Sequence, residues 1–120
     1  MISSEFAASF AAEWIAAWNA HDLERVLAHY ADDFEMASPV IAQLMAEPSG
    51  VLRGKESIRA YWAKALALLP ELHFELGEVL VGAASVTIVY RGHRGPSAEV
   101  FWFDGAGKVV RAAAHYAAAV

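Results

Sequence analysis

The stretch from Ser97 to Ala114 constrains the fold more than any other part of the chain. Its turn, Asp104–Gly107, contains two glycines, which supply the positive φ that tight turns between strands need. Before the turn, Glu99 stands in an extended run of large apolar residues. Alternate side chains of a strand share a face, so both faces of this strand are apolar apart from Glu99. The sequence therefore predicts a covered hairpin with one carboxylate that needs a partner or loses its charge.

The composition indicates one domain over residues 1–120 with much apolar surface to cover. Hydrophobic residues make up 58% of the 120 and charged residues 19%, whereas soluble domains contain roughly 45–50% apolar residues. We expect both a large interior and a homodimer formed through the sheet face, with Val100 and Trp102 pointing toward the partner.

Charge and segment composition exclude several classes of protein. The net charge is -5 and there is no basic run, so we expect no nucleic-acid partner. No apolar run is long enough to span a bilayer, and we expect no membrane association. The first residues lack the basic and apolar regions of a signal peptide, which favours a cytoplasmic location.

Three helices are predicted in the first part of the chain. Large apolar residues recur at every fourth position from Phe6 to Trp18, the stripe of an amphipathic helix. Asp22 is expected to cap a second helix, with Tyr30 on its buried face and Asp32-Asp33 ending it. The third helix is predicted between Gly54 and Pro70.

The strands are predicted mainly in the second part. A short strand ends at Pro39, and the segment Val40–Gly54 that follows is either a helical turn or a lid. Four antiparallel strands are then expected, with a bulge or bend at Gly77; they are Leu72–Val81, Ser85–Arg91, the strand that carries Glu99, and Val109–Tyr116. The order of elements predicts an α+β fold: a cone-shaped curved antiparallel sheet packed against three N-terminal helices, with an interior pocket.

Four segments together resemble a known superfamily: 14–34, Ser38-Pro39, 52–62 and 101–110. In order and spacing they are similar to the nuclear transport factor two-like proteins, and within these to the SnoaL-like branch, which is related to the ketosteroid isomerases. The resemblance covers nearly the whole chain and implies a cystatin-like architecture. This fold hosts isomerases, cyclases, dehydratases, epoxide hydrolases and non-catalytic binding modules.

The resemblance implies an incomplete set of isomerase residues. Glu99 matches the acid that assists the oxyanion in ketosteroid isomerases. Ser38 stands where they carry the catalytic Asp, and a hydroxyl cannot act as a carboxylate base. Trp14 stands at the position of the tyrosine that binds the oxyanion in ketosteroid isomerases. Trp62 stands at the position of a supporting tyrosine. The acid or histidine that SnoaL-type cyclases carry on the last strand is also missing, since Ala112 and Ala114 occupy the matching positions.

Two interpretations of Glu99 are open at this stage. It is a buried acid with a raised pKa that donates a hydrogen bond to a ligand or acts as a base. Alternatively it forms a cross-strand ion pair with Arg91, which lies opposite Glu99 if the preceding corner centres near Gly95.

We expect an aromatic ligand pocket around this carboxylate. The pocket residues predicted beside Glu99 are Trp14, Trp18, Tyr30, Met36, Ser38, Trp62, Arg91, Phe101 and Tyr116. The five histidines show no metal-ligand spacing, so no metal and no other cofactor is expected. The sequence favours a binder of a small apolar molecule. The alternatives are an isomerase or cyclase acting on an apolar carbonyl or polyketide-like compound through Glu99, and a protein-interaction dimer with a filled core.

Overall fold

The computed structural model describes residues 1–118 as helices laid against one six-stranded sheet. The helices are α1 (Ser4–Asn19), α2 (Leu23–Leu27), α3 (Pro39–Leu44) and α4 (Lys55–Leu68). The strands are β1 (Tyr30–Ala37), β2 (Val51–Arg53), β3 (Glu75–Val81), β4 (Ser85–Gly92), β5 (Gly95–Phe103) and β6 (Val109–Tyr116). None of these helices is long and apolar enough to cross a membrane. The predicted α+β fold class is confirmed.

Helix α1 forms where the four-residue spacing predicts it. The Ser3 hydroxyl caps the helix by accepting a hydrogen bond from the Phe6 backbone N–H at 3.0 Å. Its buried face contains Ala7, Phe10, Ala11, Trp14, Ala17 and Trp18. Phe6, the first residue of the stripe, stays 37% exposed and meets Phe103 edge-on at 5.1 Å between ring centroids. The apolar stripe therefore packs α1 onto the inner face of the sheet.

The sheet has the strand order β2-β1-β6-β5-β4-β3. Strands β3 to β6 form the predicted antiparallel meander. Strand β1 pairs in parallel with β6, and β2 pairs antiparallel with β1 at the edge. The last strand of the chain thus lies in the middle of the sheet.

A glycine produces the predicted irregularity of β3. The register between β3 and β4 shifts between Leu76 and Val79. A Cβ atom at Gly77 would lie 2.9 Å from the Val89 carbonyl oxygen, closer than real Cβ atoms come to backbone. Only glycine therefore fits this close approach.

Two predictions about the first half of the chain are wrong. Helix α2 ends at Leu27, and Asp32-Asp33 lie inside β1 instead of ending a helix. Tyr30 is accordingly the first residue of a strand. The helical turn expected as one alternative for Val40–Gly54 is present as α3, and the same segment also contains the unpredicted strand β2. A three-residue strand is too short to show a periodic pattern, which explains why β2 was missed.

The predicted pairing of Arg91 with Glu99 is also wrong. Arg91 pairs with Pro96, and Ile88 lies across from Glu99. Two residues, His93 and Arg94, form the turn between β4 and β5, so it lies earlier than the predicted corner. Because side chains alternate along β4, Arg91 points to the opposite face of the sheet and is exposed.

Candidate functional site

A cavity of about 100 Å³ lies between the helices and the inner face of the sheet. Its wall is mainly aromatic: Trp14, Trp18, Tyr61, Trp62, Phe74, Tyr90 and Tyr116. Aliphatic side chains complete it: Met36, Val40, Ala65, Leu69 and Leu72. The polar groups of the wall, beyond the phenols, come from His93, Arg94, Ser97 and Glu99. Apolar walls with few polar groups are typical of sites that bind small molecules.

The local structure explains why these side chains converge. Trp14 and Trp18 are one helical turn apart on α1 and therefore share a face. Ser97 and Glu99 are two residues apart on β5, so their side chains share the inner face of the sheet. Tyr90 on β4 pairs with Ser97 and lies on the same face. The wall thus combines one helix face with one sheet face.

Asn19, the last residue of α1, positions the aromatic ring of Phe74. Its side-chain amide donates to the Phe74 carbonyl oxygen at 3.0 Å and accepts from the Phe74 N–H at 2.7 Å. Phe74 then stacks on Trp14, with ring centroids 5.6 Å apart and planes 18° apart. The end of α1 therefore fixes the chain just before β3 against the cavity.

Glu99 is buried in the wall without a partner. The residue is 5% exposed, and the residues opposite it on the neighbouring strands are Ile88 and Ala114. No hydrogen bond or ion pair to its carboxyl group is present within residues 1–118. Burial alone raises the pKa of Glu99 from 4.5 to about 8. The carboxyl group is therefore mostly protonated at neutral pH and can donate a hydrogen bond.

The tyrosines around Glu99 are held in their neutral form. Burial raises the pKa of Tyr90 and Tyr116, and the nearby Glu99 carboxyl raises it further. The same two causes raise the pKa of Tyr30. The Ser38 hydroxyl pulls the pKa of Tyr116 in the opposite direction. These phenols can exchange hydrogen bonds but do not supply a base near neutral pH.

Two indole N–H groups in the wall differ in their hydrogen bonding. Trp14 Nε1 donates to the Tyr30 hydroxyl oxygen at 3.1 Å, and both groups are buried. Trp18 Nε1 is buried and has no acceptor among residues 1–118. A buried donor without an acceptor is rare in folded proteins, because it loses its water and gains nothing.

The structure brings together some of the residues predicted for the pocket. Trp14, Trp18, Met36, Trp62, Tyr116 and Glu99 line the cavity. Tyr30 and Phe101 are buried behind the wall, and the Ser38 hydroxyl caps α3 by accepting from the Val40 N–H at 3.1 Å. Arg91 lies outside the cavity on the exposed face. That a ligand contacts any of these residues stays a prediction.

Sequence reasoning missed five polar members of the wall: Tyr61, Tyr90, His93, Arg94 and Ser97. Tyr61 precedes the predicted Trp62 on the buried face of α4, so helical spacing gave a signal for it. Tyr90 shares a face with Ile88, the residue across from Glu99, and finding it requires the correct register. Arg94 lies in the turn, where strand parity gives no information.

No group of three or more His, Asp or Glu side chains within residues 1–118 is arranged to hold a metal ion. The polar groups that line the cavity are the protonated Glu99 carboxyl, three phenols, the Ser97 hydroxyl, the His93 imidazole and the Arg94 guanidinium.

Comparisons with known proteins agree with this architecture. A model of the SnoaL-like domain family matches residues 11–118. The crystal structure of a SnoaL-like protein of unknown function from Burkholderia thailandensis is 55% identical, with a TM-score of 0.94 over 98% of each chain. An NTF2-like protein of unknown function from Cytophaga hutchinsonii is 11% identical, with a TM-score of 0.70 over 98% of this chain and 92% of that one.

An enzyme structure is also similar in fold. It is the epoxide hydrolase/cyclase-like enzyme SalBIII, described for its role in pyran ring formation in polyether salinomycin. It is 16% identical, with a TM-score of 0.78 over 98% of this chain and 95% of that one. At such identity the likeness shows the fold alone. The domain match and the 55% identical structure decide the family, and the chain belongs to the SnoaL-like domain family.

Proposed function

We propose that the protein binds a small, mainly apolar molecule in the cavity and that Glu99 donates a hydrogen bond to an oxygen atom of this ligand. The observation that carries the proposal is the buried, unpaired carboxyl group of Glu99. Leaving a polar group buried without a partner costs about 1–3 kcal/mol. A ligand oxygen within reach of the protonated carboxyl removes that cost.

The apolar lining of the cavity supports the same proposal. A protonated Glu99 suits a ligand with an oxygen acceptor, such as a ketone, lactone or phenol. The aromatic rings of the wall bury the apolar body of such a ligand, which supplies most of the binding free energy.

A second candidate is proton transfer by Glu99, as in an isomerase or cyclase. With a pKa of about 8, Glu99 exchanges its proton near neutral pH, as a general acid or base must. In an isomerisation the ionised carboxylate takes a proton from a carbon next to the ligand carbonyl and returns it to another carbon. The fold accommodates such chemistry, since the cyclase-like enzyme SalBIII shares it. Ser38 weighs against it, because its hydroxyl is engaged as a helix cap and no carboxylate stands there.

A melting-temperature screen against apolar ketones, lactones, phenols and steroids tests the binding proposal. A ligand at about one hundred times its Kd adds roughly 2.7 kcal/mol of stability, which shifts the melting temperature of a domain of this size by several degrees. Glu99→Gln keeps an N–H donor at the position, whereas Glu99→Leu removes it. We expect ligand-induced shifts in the wild type and in Glu99→Gln and a much smaller shift in Glu99→Leu.

Each outcome separates the alternatives. A flat response across the whole panel would contradict the binding proposal and favour a protein-interaction dimer. The proton-transfer candidate would be established by a ligand that the wild type converts to a product. Glu99→Gln should bind the same ligand without converting it.

A further inference from the structure

The mouth of the cavity carries a positive charge, which Arg94 supplies. Arg94 lies in the turn between β4 and β5 and lines the cavity. Its Nη2 atom donates to the Gln43 side-chain oxygen on α3 at 2.7 Å. Its guanidinium carbon lies 5.4 Å from the centroid of the Tyr116 ring. The guanidinium group is therefore held at the mouth by a neutral amide and an aromatic ring.

Arg94, like Arg91, has no carboxylate within ion-pair distance among residues 1–118, whereas the other four arginines do. Arg25, Arg53, Arg59 and Arg111 each lie within ion-pair distance of a glutamate. A guanidinium group has five N–H donors in a planar fork, and the fork matches the two oxygens of a carboxylate. Because Gln43 accepts from only one nitrogen, Arg94 keeps donors for an anion.

Glu99 does not neutralise Arg94 at neutral pH. Its burial keeps the carboxyl group protonated up to about pH 8. Burial and Glu99 raise the pKa of Tyr116, and the Arg94 charge lowers it. The cavity as a whole therefore has an uncompensated positive charge at its mouth and a neutral donor deeper in its wall.

The distance between these two groups limits the size of the ligand. Glu99 is four residues beyond Gly95, the first residue of β5, which corresponds to roughly 13 Å of extended chain. The Arg94 side chain folds back over Tyr116, which pairs with Ser97, and so shortens the span. A ligand that joins the two groups is therefore compact and shorter than this extended span.

We infer that the cavity selects a ring-bearing monocarboxylate whose far end carries a hydroxyl or carbonyl oxygen. The carboxylate binds the Arg94 guanidinium at the mouth, the ring lies among the aromatic residues of the wall, and the far oxygen meets Glu99. This inference rests on the proposed binding function and adds the chemical class of the ligand. Charge-assisted hydrogen bonds from a guanidinium group are about twice as strong as neutral ones.

Two matched pairs of compounds test the charge preference. They are 6-hydroxy-2-naphthoate with 6-hydroxy-2-naphthamide, and 4-hydroxybenzoate with 4-hydroxybenzamide; each pair has nearly the same shape and differs in charge. Isothermal titration calorimetry at pH 7 measures their Kd values for the wild type, Arg94→Gln and Arg91→Gln. Arg91→Gln is the matched control, because Arg91 belongs to the same hairpin and points away from the cavity.

We expect the wild type and Arg91→Gln to bind at least one carboxylate about tenfold more tightly than its amide. Arg94→Gln should bring the two Kd values together while retaining the far-UV circular dichroism spectrum. Equal Kd values for acid and amide in the wild type would overturn the inference and leave the binding proposal intact. If Arg94→Gln lost affinity for acid and amide equally, the inference would also be overturned, since Arg94 would then only shape the mouth of the cavity. If none of the four compounds binds, the inference fails, and the neutral ligands of the melting-temperature screen decide the binding proposal separately.

Discussion

The Tyr30 hydroxyl accepts a hydrogen bond from Trp14 Nε1 at 3.1 Å, and this bond joins α1 to the first residue of β1 behind the cavity wall. Both residues are about 1% exposed. Water cannot replace either partner, so removal of the hydroxyl leaves the indole N–H buried and unpaired.

Tyr30→Phe is therefore expected to lower the free energy of unfolding by about 1–3 kcal/mol. Urea denaturation of the wild type, Tyr30→Phe, Trp14→Phe and the double variant measures the coupling between the two residues. We expect the double variant to lose less than the sum of the single variants. Strict additivity would show that the hydrogen bond does not stabilise the fold.

The buried carboxyl group of Glu99 makes stability depend on pH in a defined direction. Below the ordinary glutamate pKa of 4.5 both folded and unfolded chains carry the proton. Between 4.5 and about 8 the unfolded chain releases the proton and the folded chain keeps it. The contribution of Glu99 to the free energy of unfolding therefore falls by about 1.4 kcal/mol per pH unit in this window and levels off above it.

Glu99→Gln removes this dependence, since glutamine does not titrate. Urea denaturation at pH 5, 6, 7, 8 and 9 should show Glu99→Gln gaining stability relative to the wild type as the pH rises to about 8. Other titrating groups cancel in the difference between the two proteins. Parallel pH profiles would mean that Glu99 titrates normally in the folded protein.

Gly77 and Gly105 are predicted to respond oppositely to alanine. A Cβ at Gly77 would lie 2.9 Å from the Val89 carbonyl oxygen, whereas nothing lies within 4 Å of a Cβ at Gly105. We expect Gly77→Ala to cost about 1–3 kcal/mol of stability through overpacking and Gly105→Ala to change stability by less than about 0.5 kcal/mol. Thermal denaturation of both variants checks this, and a harmless Gly77→Ala would show that β3 can move away from β4.

The homodimer expected from the composition stays a prediction. Substitutions on the outer face of the sheet can test it. Val100 and Trp102 point outward there, Leu80 is 50% exposed, and the Arg111 guanidinium lies 4.4 Å over the Trp102 ring. We expect sedimentation equilibrium to give a dimer for the wild type and a monomer for Trp102→Glu. Leu68→Glu is the control, since Leu68 is exposed on α4 instead of the sheet. A monomeric wild type would refute the prediction.

The sequence predicts elements with a strong local pattern better than it predicts contacts between elements. The four-residue spacing located α1, and the glycine turns located the meander to within a few residues. The partner of Glu99 depended on the register of β4 and β5. A turn centred on Gly95 places Arg91 across from Glu99, whereas the observed turn at His93 and Arg94 places Ile88 there. The neighbours that distinguish an ion pair from an unpaired acid come from strands and helices far apart in the chain, which local patterns do not encode.

The central position of β6 has a consequence for how this protein is made. β6 is the last strand of the sheet to leave the ribosome, yet it joins the β2-β1 pair to the three strands β5, β4 and β3. Until it emerges, β1 and β5 each present an open edge, the kind of surface that recruits strands from other chains. Tyr116, near the end of that strand, also completes the cavity wall. The cavity wall is therefore complete only after β6 has joined the sheet, and until then the facing edges of β1 and β5 stay unpaired.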